Sequence, residues 1–213
     1  TCYRDPDRIY PLFSIFTING ERGEPGELNL PPVAGAVLEN FSQEVEAAVS
    51  VCKYMVFGPL YNGSVRFKDY TVMADSLFFQ TLGIDVLRGD PLHELQQKDV
   101  VFLSDRLAQK MFGDEDPIGK VISYDKQLQL TVKGVYAALP ENSTMNPEAV
   151  ISIVSAWSRD WAENSWEGGD SFFQYIRFRP GVKVDVEKFN ARLEAVIQNY
   201  LPQDGKDNSS YTS

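Results

Sequence analysis

"VVFLSDRLAQKMFGDEDPIGKVI", residues 100 to 122, decides how the rest of the chain is read. The segment "KDVVFLS" (98 to 104) is a short apolar run rich in β-branched residues, and it predicts a buried strand. Ser104 then suits a helix N-cap, and Leu107, Ala108, Met111 and Phe112 fall on one helical face. Gly113 stops the helix. Asp116-Pro117 starts a turn, and Gly119 lets the chain reverse into a strand from Val121. The order is therefore strand, helix, loop, strand.

The same loop invites a second reading, because Gly113 and Gly119-Lys120 resemble a phosphate-binding loop. That loop needs four residues in its gap and Ser or Thr after the lysine. Here the gap is five residues, Val121 follows Lys120, and the loop carries Asp114, Glu115 and Asp116. Three carboxylates repel a triphosphate, and a phosphate loop follows a strand and opens a helix. The acidic residues also lack the alternate spacing, central glycine and closing glutamate of an EF-hand. The stretch reads as a solvated turn.

Outward from it, the chain mixes short strands and helices. Residues 8 to 20 read as a strand ending at Asn-Gly. Residues 31 to 41 read as a helix that starts on two prolines and shows Val33, Val37, Leu38 and Phe41 on one face. Residues 44 to 58 alternate, with Val45, Ala47, Val49, Val51, Met55 and Phe57 on one side. Residues 63 to 74 give one or two strands after Asn62-Gly63. Residues 75 to 83 form a helix capped by Asp75 and closed by Gly83. Residues 120 to 139 form a hairpin around Asp125-Lys126, and "AVISIVSAW" (149 to 157) reads as an apolar strand. "SFFQYIRFRP" (171 to 180) alternates strongly. Residues 184 to 201 form a helix capped by Asp185, with Phe189, Leu193, Val196, Ile197 and Tyr200 in one stripe. The fold class is α+β. Opening strand–helix–strand and closing strand–helix suit one subdomain made from both ends, 1–62 and 166–201, with 63–165 inserted as a second. Residues 202–213 read as a loose polar tail.

Composition narrows the function. A formal net charge of -10 argues against nucleic acid as a partner, since phosphate contacts need clustered Lys and Arg. No run approaches the ~18 apolar residues of a membrane span, and no signal-peptide pattern is present. Two cysteines, Cys2 and Cys52, make no disulfide scaffold or metal motif, and they are expected to stay unpaired. The single histidine, His93, rules out a multi-histidine metal site and reads as a surface residue. Trp157, Trp161, Trp166, Phe172, Phe173 and Tyr175 could form a ligand platform, but aromatics this dense more often make core or a subdomain interface. Asn40, Asn62, Asn142 and Asn208 begin glycosylation-type triplets, a weak signal alone.

Several stretches together resemble the extracytoplasmic core domain of the MacB/FtsX family of ABC-transporter permeases. They are "DPDRIYPLF" (5 to 13), "MADSLFFQTLGIDVLRGDP" (73 to 91), the 100 to 122 stretch and "LTVKGVYAALPENSTMN" (130 to 146). The resemblance runs from about Asp5 to about Leu201, and departs from the family where Pro11 stands in place of a frequent arginine. Its signature positions are Phe78, Phe79, Gly89, Ser104, Leu107, Ala108, Phe112, Gly113, Pro117, Gly119 and Gly134. The resemblance implies a two-part domain, one Porter-like and one sabre-like, lying between two membrane helices on the periplasmic side of a bacterial inner membrane. It implies no catalytic, cofactor or metal residue, and so no enzyme. The implied partners are a cytoplasmic ABC ATPase subunit or domain, a second permease copy, and a periplasmic adaptor or lipoprotein. The implied role is to couple ATP hydrolysis to export or mechanotransmission.

Two other classes stay open at this point. One is an acidic hydrolase using Asp160, Glu163, Glu167 or Asp170, which needs a carboxyl pair with one raised pKa. The other is a free periplasmic ligand-binding protein, which needs a deep pocket between lobes. A loop between membrane helices carries a geometric expectation. The first strand and the strand at 171 to 179 should both run away from the membrane, and the last helix should return. Arg8 and Tyr200 would then share one pole, with the insertion toward the other; opposite poles would favour a free secreted protein over a membrane loop.

Overall fold

The computed structural model describes residues 3–18, 21–52, 58–140, 142–143, 145–167, 172–202 and 209–212. A 3-10 turn at Pro6–Arg8 leads into β1 (Ile9–Ile18), β2 (Glu21–Arg22), α1 (Val33–Asn40), β3 (Val45–Cys52), β4 (Leu60–Asn62), β5 (Val65–Phe67) and β6 (Thr71–Ala74). There follow α2 (Phe78–Leu82), β7 (Val86–Arg88), α3 (Pro91–Glu94), β8 (Val100–Ser104), α4 (Asp105–Phe112), β9 (Val121–Tyr124) and β10 (Leu128–Tyr136). The chain closes with β11 (Ala149–Ser152), α5 (Val154–Trp157), β12 (Phe173–Phe178), α6 (Val186–Tyr200) and β13 (Ser209–Thr212). This is the α+β mixture expected.

The strands join one sheet in the order β13-β1-β12-β3-β6-β11-β8-β10-β9-β4-β5, with β2 on β1 and β7 on β10. Pairing is mostly antiparallel; β10 with β8 and β11 with β6 are parallel. The sheet narrows where β3 meets β6, at Val51↔Ala74 and Cys52↔Met73. On one side lie β1, β12 and β3, covered by α1 and α6 through Val33, Val37, Phe189, Leu193 and Ile197. On the other side α4 and α5 cover β8, β10 and β11 through Leu107, Met111 and Ala156. α2 packs Phe78, Phe79 and Leu82 near the junction. β4, although it precedes residue 63, sits with β5 and β9 at the far edge.

Capping chemistry placed α4 and α6 but not α2, which starts at Phe78 with Leu77 at its N-cap and no side-chain cap bond, where a helix capped by Asp75 was expected. Ser104 accepts the Leu107 N–H and Asp185 accepts the Lys188 N–H, each an N-cap bond as read. Asp125 and Lys126 both take positive φ, 48° and 58°, as a tight hairpin turn demands.

Three further expectations are overturned. The alternation read in 44 to 58 does not make a one-sided strand: in β3 only Glu46 is not fully buried. Val45 and Ala48 face the α1–α6 layer, while Val49 and Val51 face α2, so both sides are covered. Lys53 to Phe57 lie outside the described residues. The 149 to 157 run is a strand only to Ser152 and then turns into α5, because a continuous apolar run carries no period that separates the two states.

The third correction concerns direction. β12 pairs antiparallel with β1, Ile9 opposite Arg177, so it runs toward the Ile9 end and not away from it. α6 therefore starts at that end, with Phe189 against Phe178, and runs away to put Tyr200 on Trp166. Arg8 and Tyr200 do not share a pole. The return is made instead by the segment read as a loose tail. β13 pairs antiparallel with β1, Ser209 opposite Phe16 and Thr212 opposite Phe13. Its last residue lies about 13 Å along β1 from Ile9, at about 3.3 Å per residue. β6 joins the far end of β3, so residues 63–165 extend the sheet sideways rather than stacking beyond it.

Candidate functional site

The acidic loop is tied up internally. Asp116 accepts the Ile118 N–H at 3.0 Å and takes both Nη atoms of Arg88 at 2.8 and 3.0 Å. This bidentate pair holds the Asp116 carboxyl below its ordinary range. Lys120 Nζ lies 2.7 Å from Glu115 Oε2, and that bond lowers the Glu115 pKa. Gly119, at φ +81°, donates its N–H to the Val132 carbonyl at 2.8 Å, and Lys120 N–H donates to Pro117. The lysine a phosphate would need is spent on a neighbour.

The remaining signature positions hold geometry. Phe79 packs its ring against those of Phe102 and Tyr136, with centroids 5.4 and 5.0 Å away, and touches Phe78 edge-on. A Cβ on Gly134 would sit 1.9 Å from the ring of Phe102, its partner on β8, so this strand pairing needs glycine. Gly89 backs onto the Lys133 carbonyl. Leu107 and Ala108 are core, with Phe112 packed against it, and Gly113 closes α4. The Ser104 hydroxyl also donates to Glu148, whose carboxylate holds Arg106.

A denser polar site gathers where the described chain enters the sheet. Arg177 on β12 has a side chain only 3% exposed. Its Nη2 donates to the Arg4 carbonyl at 2.8 Å and to Asp5 at 3.3 Å, and Nη1 reaches the Thr81 carbonyl at 3.5 Å. Burial pulls its pKa down, and Arg8 adds to that pull while Glu46 and Asp5 oppose it. Arg8 donates to Glu46 at 2.7 Å, to the Phe178 carbonyl at 2.9 Å and to Asp5 at 2.8 Å. Arg4 N–H donates to the Gly83 carbonyl at 3.1 Å, and its guanidinium pairs with Asp85. Tyr3 OH donates to the Met145 carbonyl at 2.6 Å. Residues 3 to 8 are thus clamped to β12, to β3, to the end of α2 and to the segment before β11. An open groove of about 420 Å³ adjoins, lined by Arg4, Arg8, Glu46, Gln80, Asp85 and Arg177. Only an alignment of chemistry with this topology could have found the clamp; Arg177 reads as one exposed face of an alternating strand.

The aromatic cluster is divided. Phe172 and Phe173 are core. Tyr175 is partly buried, and Trp161 is 39% exposed beneath the Arg159 guanidinium. Trp157 and Trp166 line a second open groove with Tyr200. Of the carboxylates considered for hydrolysis, Asp160, Glu163 and Glu167 are exposed and Asp170 lies outside the described residues. His93 is exposed on α3, as expected. Asn40 and Asn62 donate their side-chain amides to the Ala36 and Met111 carbonyls, and Asn208 lies outside the described residues. Cys52 is buried in β3, and Cys2 lies outside the described residues. Among the described residues no helix is long and apolar enough to cross a membrane, and no three His, Cys, Asp or Glu gather as metal ligands.

Comparison with known proteins gives one family. The family described as MacB-like periplasmic core domain matches residues 7–196. Among solved structures, a domain assigned to a permease protein from Porphyromonas gingivalis superposes with a TM-score of 0.79 at 22% identity, covering 99% of this chain and 90% of that one. The periplasmic region of MacB from Actinobacillus actinomycetemcomitans gives 0.65 at 16% identity, over 99% and 92%. The extracellular domain of the ABC-type transporter YknZ from Gram-positive bacteria gives 0.62 at 14%, over 96% and 100%. At these identities the structures speak for the fold. No curated protein gives a significant match.

Proposed function

Given that the chain belongs to the family of MacB-like periplasmic core domains of ABC-transporter permeases, we propose that it works outside the membrane as a non-catalytic coupling element. It takes motion driven by ATP hydrolysis in a cytoplasmic ATPase partner and passes it to a substrate or partner outside. In this reading the part built from 1–62 and 166–201, apart from β4, which pairs with β5 and β9, is the Porter-like base, and 63–165 is the sabre-like part, joined at the narrow β3–β6 contact. A second permease copy and a periplasmic adaptor or lipoprotein are the further partners, and the signature residues serve as scaffold.

The observation that carries the reading is the entry clamp. A push or pull on residues 3 to 8 meets Arg177, Glu46 and Gly83, and so reaches β12, β3 and α2 together. Strands bonded edge to edge transmit such a displacement as a unit, since packed elements shift between discrete arrangements rather than deform. β13, running back along β1, supports an exit on the same side as the entry.

Thiol labelling in cells tests the placement. In the full-length protein carrying Cys2→Ser and Lys188→Cys, a membrane-impermeant maleimide should label intact cells, because Lys188 is 82% exposed on α6. Labelling only after lysis would contradict the proposal.

A further inference from the structure

At one edge of the sheet β5 pairs with β4 and has no strand beyond it among the described residues. The β4–β5 hairpin turns at Gly63, φ +58°, and Ser64, between the opposed residues Asn62 and Val65. On the other side of β4, the Pro59 carbonyl accepts the Asp125 N–H at 2.8 Å. Main-chain groups alternate in direction along a strand. Pro59 and Tyr61 therefore turn theirs toward β9, and Leu60 and Asn62 turn theirs toward β5. Phe67 and Val65 answer those two, which leaves the N–H and C=O of Arg66 on the open side. Side chains alternate between faces as well. Phe67 is buried beneath Lys110 Nζ, and Val65, on the same face, is 56% exposed. The other face carries Arg66 opposite Tyr61, whose ring centroid lies 5.0 Å from Lys126 Nζ.

Charge sets this edge apart. The chain carries a net charge of -10, and most of its described cations sit against a carboxylate, as Arg88 does on Asp116 and Lys110 on Asp69. Arg66, Lys68 and Lys126 are exposed, and none pairs with a carboxylate among the described residues. The nearby carboxylates are engaged: Asp69 takes Lys110 on both oxygens at 2.9 Å, and Asp125 accepts from Gln127 at 3.0 Å. Arg66 and Lys68 also line an open groove of about 310 Å³ with Pro59, Asp69 and Tyr70.

We propose that this edge takes an extended acidic segment of a partner protein as an added strand. The segment's main chain exchanges bonds with the Arg66 N–H and C=O, and its alternate carboxylates face Arg66, Lys68 and Lys126. The residues between them lie on the face of Val65 and Phe67. The charges select the occupant. Charged side chains on an edge keep identical edges apart, so the β5 of a second copy is repelled by its own Arg66 and Lys68. A phosphate polymer offers acceptors only and leaves the Arg66 carbonyl unmatched, whereas an added strand brings donor and acceptor together. The proposal needs only the sheet edge and stands apart from the coupling reading.

The test titrates the 213-residue chain with acetyl-Glu-Val-Glu-Val-Glu-amide and follows the backbone amides by NMR. The Arg66 amide should shift saturably and exchange with solvent at least tenfold more slowly. Glutamine in place of the peptide's glutamates should weaken binding at least tenfold. Arg66→Gln together with Lys68→Gln should do the same, and both side chains are exposed, so the fold is spared. N-methylation of the peptide's glutamates removes the donors that face the edge and should abolish binding. A peptide that gives no saturable shift at Arg66, or that binds as tightly with glutamine or after N-methylation, overturns the proposal. So does inorganic polyphosphate binding as tightly as the peptide.

Discussion

Arg177 and Arg4 stand 173 positions apart, yet the guanidinium of the first donates to the main-chain carbonyl of the second across 2.8 Å. Two residues of like charge meet because the bond is to backbone, and Asp5 and Glu46 neutralise the surroundings. Arg177→Met would leave the Arg4 and Thr81 carbonyls without this donor while Arg8 keeps Glu46. Removing a desolvated charge offsets part of the loss. The expected net cost is about 1–3 kcal/mol by urea unfolding, with faster hydrogen exchange at the Arg4 amide. Unchanged stability and exchange would show that the clamp carries no strain between entry segment and sheet.

Gly134 and Phe102 test the β8–β10 pairing. Gly134→Ala puts a methyl 1.9 Å from the ring in a buried position. Overpacking of this kind costs about 1–3 kcal/mol. Adding Phe102→Leu should recover part of it, a non-additivity that a double-mutant cycle reads directly. Simple addition of the two losses would mean the contact is relieved elsewhere.

The loop at Gly113 to Lys120 is expected to behave as a turn. Gly119→Val, at φ +81°, should cost about 1 kcal/mol or more. Lys120→Ala should leave stability near that of the parent chain, because its pair with Glu115 is exposed. Calorimetry with Mg-ATP should give no saturable heat; micromolar binding lost in Lys120→Ala would refute the turn reading.

Asp75 gives the domain a pH dependence of known sign. Its carboxyl rises from 3.8 to about 6 on folding, chiefly through burial, against the two backbone N–H bonds that lower it. The folded state therefore holds a proton that the unfolded state has released between those values. Stability from this group is full below pH 3.8 and is lost as pH rises through 6. Relative to Asp75→Asn, the parent chain should lose stability between pH 4 and pH 6.5; a flat difference would place the carboxylate in water.

What could be read along the chain was local chemistry. The Ser104 and Asp185 caps, the Asp125-Lys126 turn and the α6 stripe all depend on neighbours within a few residues, and they stand where they were placed. Asp75 was read as a helix cap, but α2 starts at Phe78 with Leu77 in the cap position and no side-chain cap bond; Asp75 instead takes the N–H of Leu77 and, from another strand, that of Ser50. β3 shows the limit from the other side: alternation predicts which residues point together, not how many layers cover them. The direction of β12 and the pairing of β13 depend on which strands meet across the fold. Arg177, at an unremarkable place in an alternating strand, becomes the centre of the clamp only once β12 lies beside β1. The open side of Arg66 likewise has no sequence signature, since it is defined by what fails to pair with it.

The coupling role is tested most directly in the full-length permease, reconstituted in nanodiscs with its ATPase. Electron–electron distance measurement would run from a spin label at Lys126→Cys, in the β9–β10 turn, to labelled lipid headgroups. The distribution should shift between nucleotide-free and vanadate-trapped states, and Arg177→Met should abolish the shift while ATP hydrolysis continues. The same distribution in every nucleotide state of the parent protein would contradict the account.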